Sequence, residues 1–517
     1  MTTAQATKRT MGAALLLAVS LALALVPTAA EAAPGDTANG KVLYEKKCWW
    51  CHGKTGEADG PAANFVIPPP RDFSLGVYKY KGSEPKAEVV RDEDLFRMIS
   101  DGMPGTSMPA WKSVLSDKDR WDLVAYIKTL TDMFEGTPNP APIDLSGKIA
   151  SSEESISLGA KAYEAAKCFE CHGVRGKGDT IKKLKEDSGK RVWPRNLTKQ
   201  WTFRAGSTVE DIYTRVTNGI PNTPMPSFYS EKTGEGKLST EDRWHVANYI
   251  KSLEETQKAP KDGETVVKGM YVAELPKSEK DEIWNEATGV AFNLVPQIIA
   301  KERFFIPAND LIYVKAMFNE KEVAFLLEWD DRSKSVPGDP VAEGIAWDTL
   351  TPDGVAVQTS VVIPTAGEKP YFGHGDASHT VSMLYWTAGS VETGPKEMIM
   401  SANGIAAREP GDAKAAGFTT SASYEMGTWK VMMKRSLATA NKEKETQFEA
   451  GRYIPIAFAN WDGSNGESGS KHTMTTWVWL LLKPDTGSEV VVIPGVILIL
   501  LVGGQLAMAA LLRKKKS

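Results

Sequence analysis

Cysteine and histidine are scarce in this chain of 517 residues, which has four of the first and six of the second. No cysteine is left for a disulfide, because all four fall in two short motifs, so cysteine usage alone does not report an oxidising compartment. Charge of one sign is also lacking. A net charge of −4 provides no basic footprint for nucleic acid, which is excluded as an expected partner. Long apolar runs occur only at the two ends. Composition is otherwise that of an ordinary globular protein, and the length suits about three domains.

The terminal runs bear on location. Lys8 and Arg9 precede an apolar stretch over 11–26, and Ala30-Glu31-Ala32 offers an A-x-A cleavage site, so residues 1–32 read as a secretory signal peptide. An uncleaved membrane anchor is the competing reading, and both export the chain. Near the other end, 490–512 is apolar and uncharged and is followed by Arg513, Lys514, Lys515 and Lys516. At about 1.5 Å per residue this run reaches across a bilayer core of roughly 30 Å. The basic residues make 513–517 a cytoplasmic tail by the positive-inside rule. The sequence therefore predicts a single-pass protein of the cell membrane with its bulk on the extracytoplasmic side.

The four cysteines lie in Cys48-Trp49-Trp50-Cys51-His52 and Cys168-Phe169-Glu170-Cys171-His172. C-x-x-C-H is the attachment pattern for haem c: two sulfurs spaced for two porphyrin vinyls, and an adjoining imidazole for the iron. A redox dithiol, a zinc half-site or chance are the bland readings. The surroundings argue against them, because the motif belongs to a repeat. Gly40, Tyr44 and Cys48 in a first helix recur as Gly159, Tyr163 and Cys168. Arg120, Trp121 and Tyr126 in a last helix recur as Arg243, Trp244 and Tyr249. Trp121, Val124, Ile127 and Leu130 form an apolar stripe at helical spacing, expected to pack on the first helix.

Between these helices, Asp101-Gly-Met103-Pro-Gly-Thr-Ser-Met108 aligns without a gap to Asn218-Gly-Ile220-Pro-Asn-Thr-Pro-Met225. Met108 pairs with Met225, and Met103 pairs with Ile220. Met108 and Met225 are thus the candidate second iron ligands, alongside His52 and His172, and Met103 reads as packing. Arg71 and Arg195 lie between haem motif and Met loop in both copies, where each either pairs with a haem propionate or stays solvated. His245 stands where Asp122 stands in the first copy and reads as structural.

Both repeats, 35–135 and 150–256, resemble class I cytochrome c domains. The resemblance implies two all-α domains, two haems c held through Cys48, Cys51, Cys168 and Cys171, and His/Met ligation. A six-coordinate iron has no open position for substrate, so electron transfer is implied rather than catalysis, with no catalytic residue of the chain's own. A dihaem peroxidase is the enzymatic alternative.

Residues 265–484 contain no cysteine. About eight strand-like runs, beginning near 266, 310, 322, 354, 380, 428, 453 and 473, are separated by turns such as Pro352-Asp353-Gly and Trp461-Asp462-Gly, which predicts an all-β sandwich. Lys369-Pro-Tyr-Phe-Gly-His374-Gly-Asp376, Ala457-Phe-Ala-Asn-Trp-Asp-Gly463 and Gly469-Ser-Lys471-His-Thr-Met-Thr-Thr-Trp477 resemble the haem b-binding γ subunits of ethylbenzene dehydrogenase and its relatives. Glu328-Trp-Asp-Asp331 and Trp429-Lys-Val fit the same picture. In that family a haem b held by Met and Lys takes electrons from an iron–sulfur subunit of a molybdenum enzyme. The resemblance implies a haem b on Lys471 and, at the usual Met position, His374; His379 and His472 are alternative ligands. It implies as partners a molybdenum catalytic subunit and an iron–sulfur subunit, with a soluble cytochrome c, a terminal oxidase or a quinone-linked complex beyond. A nitrite oxidoreductase-type complex suits His/Met haems; selenate, chlorate, dimethyl sulfide and hydrocarbon chemistry are the alternatives, since the catalytic partner chooses the substrate. The alternative is a dihaem cytochrome c whose sandwich binds a carbohydrate or another ligand without haem.

Overall fold

The first repeat begins with an Asp36 side chain that accepts hydrogen bonds from the Ala38 and Asn39 amides and so starts helix α1 (Thr37–Lys47). A single helical turn, α2 (Trp49–His52), carries the motif. Helix α3 (Asp92–Asp101) follows a long loop, and α4 (Asp117–Lys128) starts at a Ser116–Asp119 capping box. Helices α1 and α4 cross at Gly40. A Cβ there would lie 2.0 Å from the Asp122 carbonyl oxygen, so only glycine allows the approach. Asp122 also holds the start of α1, accepting from the Asp36 amide at 2.7 Å and from the Asn39 side chain at 2.7 Å. Val124 and Ile127 are buried against Tyr44, Leu95 and Ile99, with Trp121 and Leu130 packed on that core.

The second repeat rebuilds this arrangement with α5 (Glu153–Ala165), α6 (Phe169–His172), α7 (Val209–Asn218) and α8 (Thr240–Ser252). Gly159 meets the His245 carbonyl, again at 2.0 Å from a Cβ. His245 does for α5 what Asp122 does for α1: its Nδ1 lies 2.9 Å from the Ser155 hydroxyl. Trp244 stacks on Tyr213 at 3.9 Å, as Trp121 stacks on Phe96 at 4.3 Å. The second copy has one more residue before its first cysteine, and Lys167 takes a φ of 57° there.

The remaining chain is strand-rich. The early strands are β1 (Val266–Tyr271), β2 (Val290–Asn293), β3 (Val295–Pro296), β4 (Leu311–Phe318), β5 (Glu322–Asp330), β6 (Gly354–Ser360) and β7 (Val381–Ser390). The later ones are β8 (Gly394–Ala402), β9 (Arg408–Pro410), β10 (Thr419–Glu425), β11 (Thr428–Ser436), β12 (Tyr453–Trp461), β13 (Thr473–Met474) and β14 (Val478–Leu482). Pairing runs β10-β11-β5-β4-β1-β14-β12-β6-β7-β8-β9. The two ends of this path face one another across one core. Val314, Phe325, Leu327 and Met433 from one layer join Val357, Leu384, Ile456 and Phe458 from the other. This is a sandwich. Strand β1 belongs to both layers, pairing in parallel with β14 through Val266–Gly269 and with β4 through Met270 and Tyr271.

The eight predicted strand regions are all present, and the run at 473 divides into β13 and β14. Strands β2, β3, β8, β9 and β10 were not legible. The first two are four and two residues long; β9 and β10 end the strand order, and β10 is half-buried along most of its length, so no apolar alternation marks it.

This computed structural model describes residues 35–66, 68–180, 182–229, 238–298, 300, 305–362, 369–404, 407–484 and 489–514, with side chains of the last segment given for 496–508. The expected signal peptide lies outside the described residues. Contacts divide the chain into two compact units, Met1–Pro142 and Ile143–Ser517, so the second helical domain and the sandwich form one body. The expected membrane span coincides with a helix over Glu489–Lys514, whose described side chains, 496–508, are exposed. Among the described residues no helix is long and apolar enough to cross a membrane; the flanks of 490–512 and the basic tail lie outside the described side chains.

Candidate functional site

In each helical domain the motif histidine ends a one-turn helix and is oriented from behind. Nδ1 of His52 lies 2.9 Å from the Arg71 carbonyl oxygen, and Nδ1 of His172 lies 2.9 Å from that of Arg195. A carbonyl oxygen only accepts, so Nδ1 donates and Nε2 keeps its lone pair. That is the tautomer an iron ligand needs. Burial lowers the pKa of both rings, which favours the neutral form. Arg71 and Arg195 were singled out for their guanidinium groups, but the role visible here belongs to their backbone. Behind each motif, the Tyr44 hydroxyl donates to the Gly53 carbonyl at 2.8 Å and the Tyr163 hydroxyl to that of Gly173 at 2.8 Å.

The methionine loops match bond for bond. The Met103 amide donates to the Met108 carbonyl at 3.1 Å, and the Ile220 amide to that of Met225 at 3.1 Å. The Thr106 hydroxyl accepts from the Met108 amide at 3.1 Å, and the Thr223 hydroxyl from the Met225 amide at 3.2 Å. The ungapped alignment is therefore also a structural equivalence: Met108 corresponds to Met225 and Met103 to Ile220. Both paired methionines are half-buried.

Residues 35–127 match the family model described as cytochrome c oxidase, cbb3-type, subunit III, and residues 156–254 match that of cytochrome c. The cytochrome c of Euglena viridis is 35% identical over 104 residues, covering 19% of this chain and 100% of that protein. The chain belongs to the cytochrome c family. Its two cytochrome c domains are the kind that carries haem c, and each contains one of the two C-x-x-C-H motifs. Residues 354–473 match the ethylbenzene dehydrogenase family model. The putative respiratory nitrate reductase haem subunit of Haloferax mediterranei is 22% identical over 214 residues, 41% of this chain and 71% of that protein. Among solved structures, a chain of the reducing HAO-like protein complex of Kuenenia stuttgartiensis is 34% identical with a TM-score of 0.39, covering 43% of this chain and 98% of that one.

In the sandwich, His374 lies at the end of a turn with a φ of 71° and is 1% exposed. Its Nδ1 is 2.9 Å from Gln358 Oε1, and Gln358 is itself oriented by donating its Nε2–H to the Phe372 carbonyl at 2.9 Å. Lys471 does not face His374 in this way: its Nζ donates to the Asn465 carbonyl at 3.1 Å and sits 5.8 Å from the Phe305 ring. His379 pairs with Asp376 in a partly exposed turn, at 2.9 Å. The residue beside His374 is His472, with ring centres 5.4 Å apart.

Two features escaped the sequence. The first is the junction between the second cytochrome c domain and the sandwich. Lys177 bridges Glu255 at 2.9 Å and Asp330 at 3.2 Å; Lys199 reaches Asp330 and Asp310, both at 3.4 Å; Lys258 pairs with Glu328 and Glu255. Alongside, Arg332 lies 4.3 Å from the Trp193 ring and Arg191 lies 4.5 Å from that of Trp347. Lysines in loops read as solvated, and only Glu328 and Asp330, within a family pattern, carried any signal. The second is a buried acid cluster. Asp353 and Asp462, read as turn residues, and Asp331 offer oxygens within 4.8 Å of one another. Burial and mutual repulsion push the carboxyls of Asp331 and Asp353 well above the usual range. The Trp429 indole donates to Asp353 at 3.0 Å, and the Trp329 indole donates to Asp331 at 3.3 Å.

Proposed function

We propose that this chain is a multihaem electron-transfer subunit of an oxidoreductase complex, with two haems c in the cytochrome c domains and one haem b in the sandwich. The observation that carries the reading is the duplicated arrangement of an oriented, neutral imidazole (His52, His172) and an equivalent methionine loop (Met108, Met225). When bound, haem supplies reversible one-electron chemistry, and a thioether as second ligand raises its potential. The chain's own residues hold and orient. The carbonyls of Arg71 and Arg195 hold the imidazole tautomer, Thr106 and Thr223 set the methionine loops, and the lysine–carboxylate junction keeps the second domain in place on the sandwich.

The finer assignment is a γ-type subunit serving molybdenum and iron–sulfur subunits, handing electrons to a soluble cytochrome c, a terminal oxidase or a quinone-linked complex. Similarity to the Haloferax respiratory nitrate reductase haem subunit and the family match over 354–473 support that class. Nitrite oxidation is the chemistry that suits electrons released to His/Met haems. The apolar run 490–512 and the basic residues after it support a single-pass anchor, with the haem domains outside the cytoplasm. Haem analysis of the purified full-length chain tests this: two covalent haems c and one acid-acetone-extractable haem b per chain are expected, both c centres low-spin and inert to peroxide. Haem c alone sinks the haem b part and leaves a dihaem cytochrome with a sandwich for another ligand. A peroxide-reactive five-coordinate haem c sinks the electron-transfer reading.

A further inference from the structure

The two cytochrome c domains share one loop face and use it differently. The loop after each motif closes with the same bonds. The Ala58 amide donates to the His52 carbonyl at 2.9 Å, and the Gly178 amide to that of His172 at 2.8 Å. The Phe73 amide donates to the Gly56 carbonyl, and the Leu197 amide to that of Gly176, both at 2.6 Å. Asp72 caps a turn by accepting from the Ser74 amide at 2.9 Å and hydroxyl at 2.6 Å. Asn196 caps the matching turn, accepting from the Thr198 amide at 2.9 Å and hydroxyl at 2.8 Å. These bonds pair Glu57 with Lys177, Asp72 with Asn196 and Leu75 with Lys199.

In the second domain those three residues hold Asp330 of the sandwich. Lys177 meets it at 3.2 Å, Asn196 at 2.8 Å and Lys199 at 3.4 Å. Two ammonium groups and an amide donor thus converge on one carboxylate. The first domain changes all three: Glu57 and Asp72 are carboxylates, and Leu75 is apolar. Glu57 is exposed, and Leu75 is 56% exposed. Next to Leu75, Gly76 packs on Met133, whose Cγ would lie 2.5 Å from a Cβ there; Met133 is 40% exposed. Met133 and Asp132 line an open cleft of about 430 Å³ together with Ser74, Leu130 and Thr131. Apolar side chains left in water within a polar rim mark a contact surface, and here the acids decide what covers it. They repel an acidic surface such as the one around Asp330, and they attract a cation. The face also adjoins the iron ligand, because Asp72 directly follows Arg71, whose carbonyl orients His52.

We propose that this face of the first domain docks a basic electron-transfer protein. A lysine or arginine of that partner meets Glu57 and Asp72, and an apolar side chain enters the cleft against Leu75 and Met133. The equivalent face of the second domain is occupied by the sandwich, so the first domain is the end of the relay that meets an outside partner. This rests on the electron-transfer reading above.

The test is stopped-flow oxidation of the reduced, haem-loaded full-length chain by two ferric probes, a basic and an acidic soluble cytochrome c, each accepting one electron per molecule. The parent is expected to react faster with the basic probe at low ionic strength, and added salt should remove that advantage. The triple variant Glu57→Lys, Asp72→Asn, Leu75→Lys gives the first domain the residues of the second. It is expected to react about tenfold more slowly with the basic probe and faster with the acidic one. Glu57→Gln alone, a change at an exposed side chain, should slow the basic probe and spare the acidic one. A basic-probe rate that the variants leave unchanged, or equal slowing with both probes, overturns the docking face alone. Two haems c that pass no electron to either probe overturn the electron-transfer reading, and the docking face with it.

Discussion

Lys177 of the second cytochrome c domain and Asp330 of the sandwich lie 3.2 Å apart, with 5% and 14% of their side chains exposed. Asp330 also accepts from the Asn196 amide group at 2.8 Å and the Thr428 hydroxyl at 2.9 Å. A charge so enclosed is supported by its partners and expensive to strand. Asp330→Ala is expected to destabilise this unit by about 3–5 kcal/mol, because it leaves Lys177 and Lys199 short of a counter-charge. The double variant Lys177→Met, Asp330→Leu should lose less than Asp330→Ala alone. Denaturant unfolding of the full chain followed by tryptophan fluorescence measures both.

The same junction sets a pH response. Burial pushes the Asp330 carboxyl up, but the ammonium groups of Lys199, Lys177 and Lys258 outweigh it and hold the group below the usual carboxylate range. Its stabilisation is complete above about pH 4 and fades as pH falls through the lowered folded value. Lys258 is held above the usual lysine range: burial lowers it, and Glu328 and Glu255 outweigh that. Its contribution is full below about pH 10.4 and fades as pH rises through the raised value. Thermal midpoints of the parent and Asp330→Ala should therefore converge only in strong acid.

The buried acids behave in the opposite sense. Asp462 is raised by burial, and its Oδ2 has no hydrogen-bond partner. An acid with a raised folded value binds more protons folded than unfolded, so stability falls as pH rises above about 4. Asp462→Asn removes that penalty. Its thermal midpoint should exceed the parent's at pH 8 and match it near pH 4.

Gly40→Ala and Gly159→Ala test the helix crossings. Each new Cβ would meet a backbone carbonyl oxygen at 2.0 Å, so the helices must separate. Overpacking of this kind costs about 1–3 kcal/mol, or about 4–8 °C of midpoint per kcal/mol in a domain of this size. Separate unfolding transitions recorded in the haem Soret band would show each domain weakened by its own substitution.

Met108→Ala is expected to remove one ligand from the first haem c and lower its potential, leaving the second unchanged; Met225→Ala should do the reverse. A redox titration resolving two haems c reads this directly. Met103→Leu should change neither potential, because Met103 corresponds to Ile220.

The haem c sites were legible because their information is local. Two sulfurs, an imidazole and a loop methionine recur at matching spacing, and Gly40 and Gly159 mark the helix crossings in the same register. The β regions with an apolar stripe, such as Val355 and Val357 in β6, were legible as well. Polar edge strands were not, because nothing buried imposes period two on them. Asp353 and Asp462 looked like turn residues, since aspartate beside glycine carries the same local signal whether the turn faces water or a core.

Sequence alone determined the two cytochrome c domains, their candidate ligands and the presence of a sandwich, because covalent spacing and periodic burial are properties of short segments. Tertiary structure decided which histidine stands beside His374, which lysines are buried at the junction, and that three aspartates share one interior. Each of those depends on residues distant along the chain. Their chemistry is set by the neighbours that folding supplies: a carbonyl that fixes a tautomer, a carboxylate that anchors an ammonium, a core that excludes water.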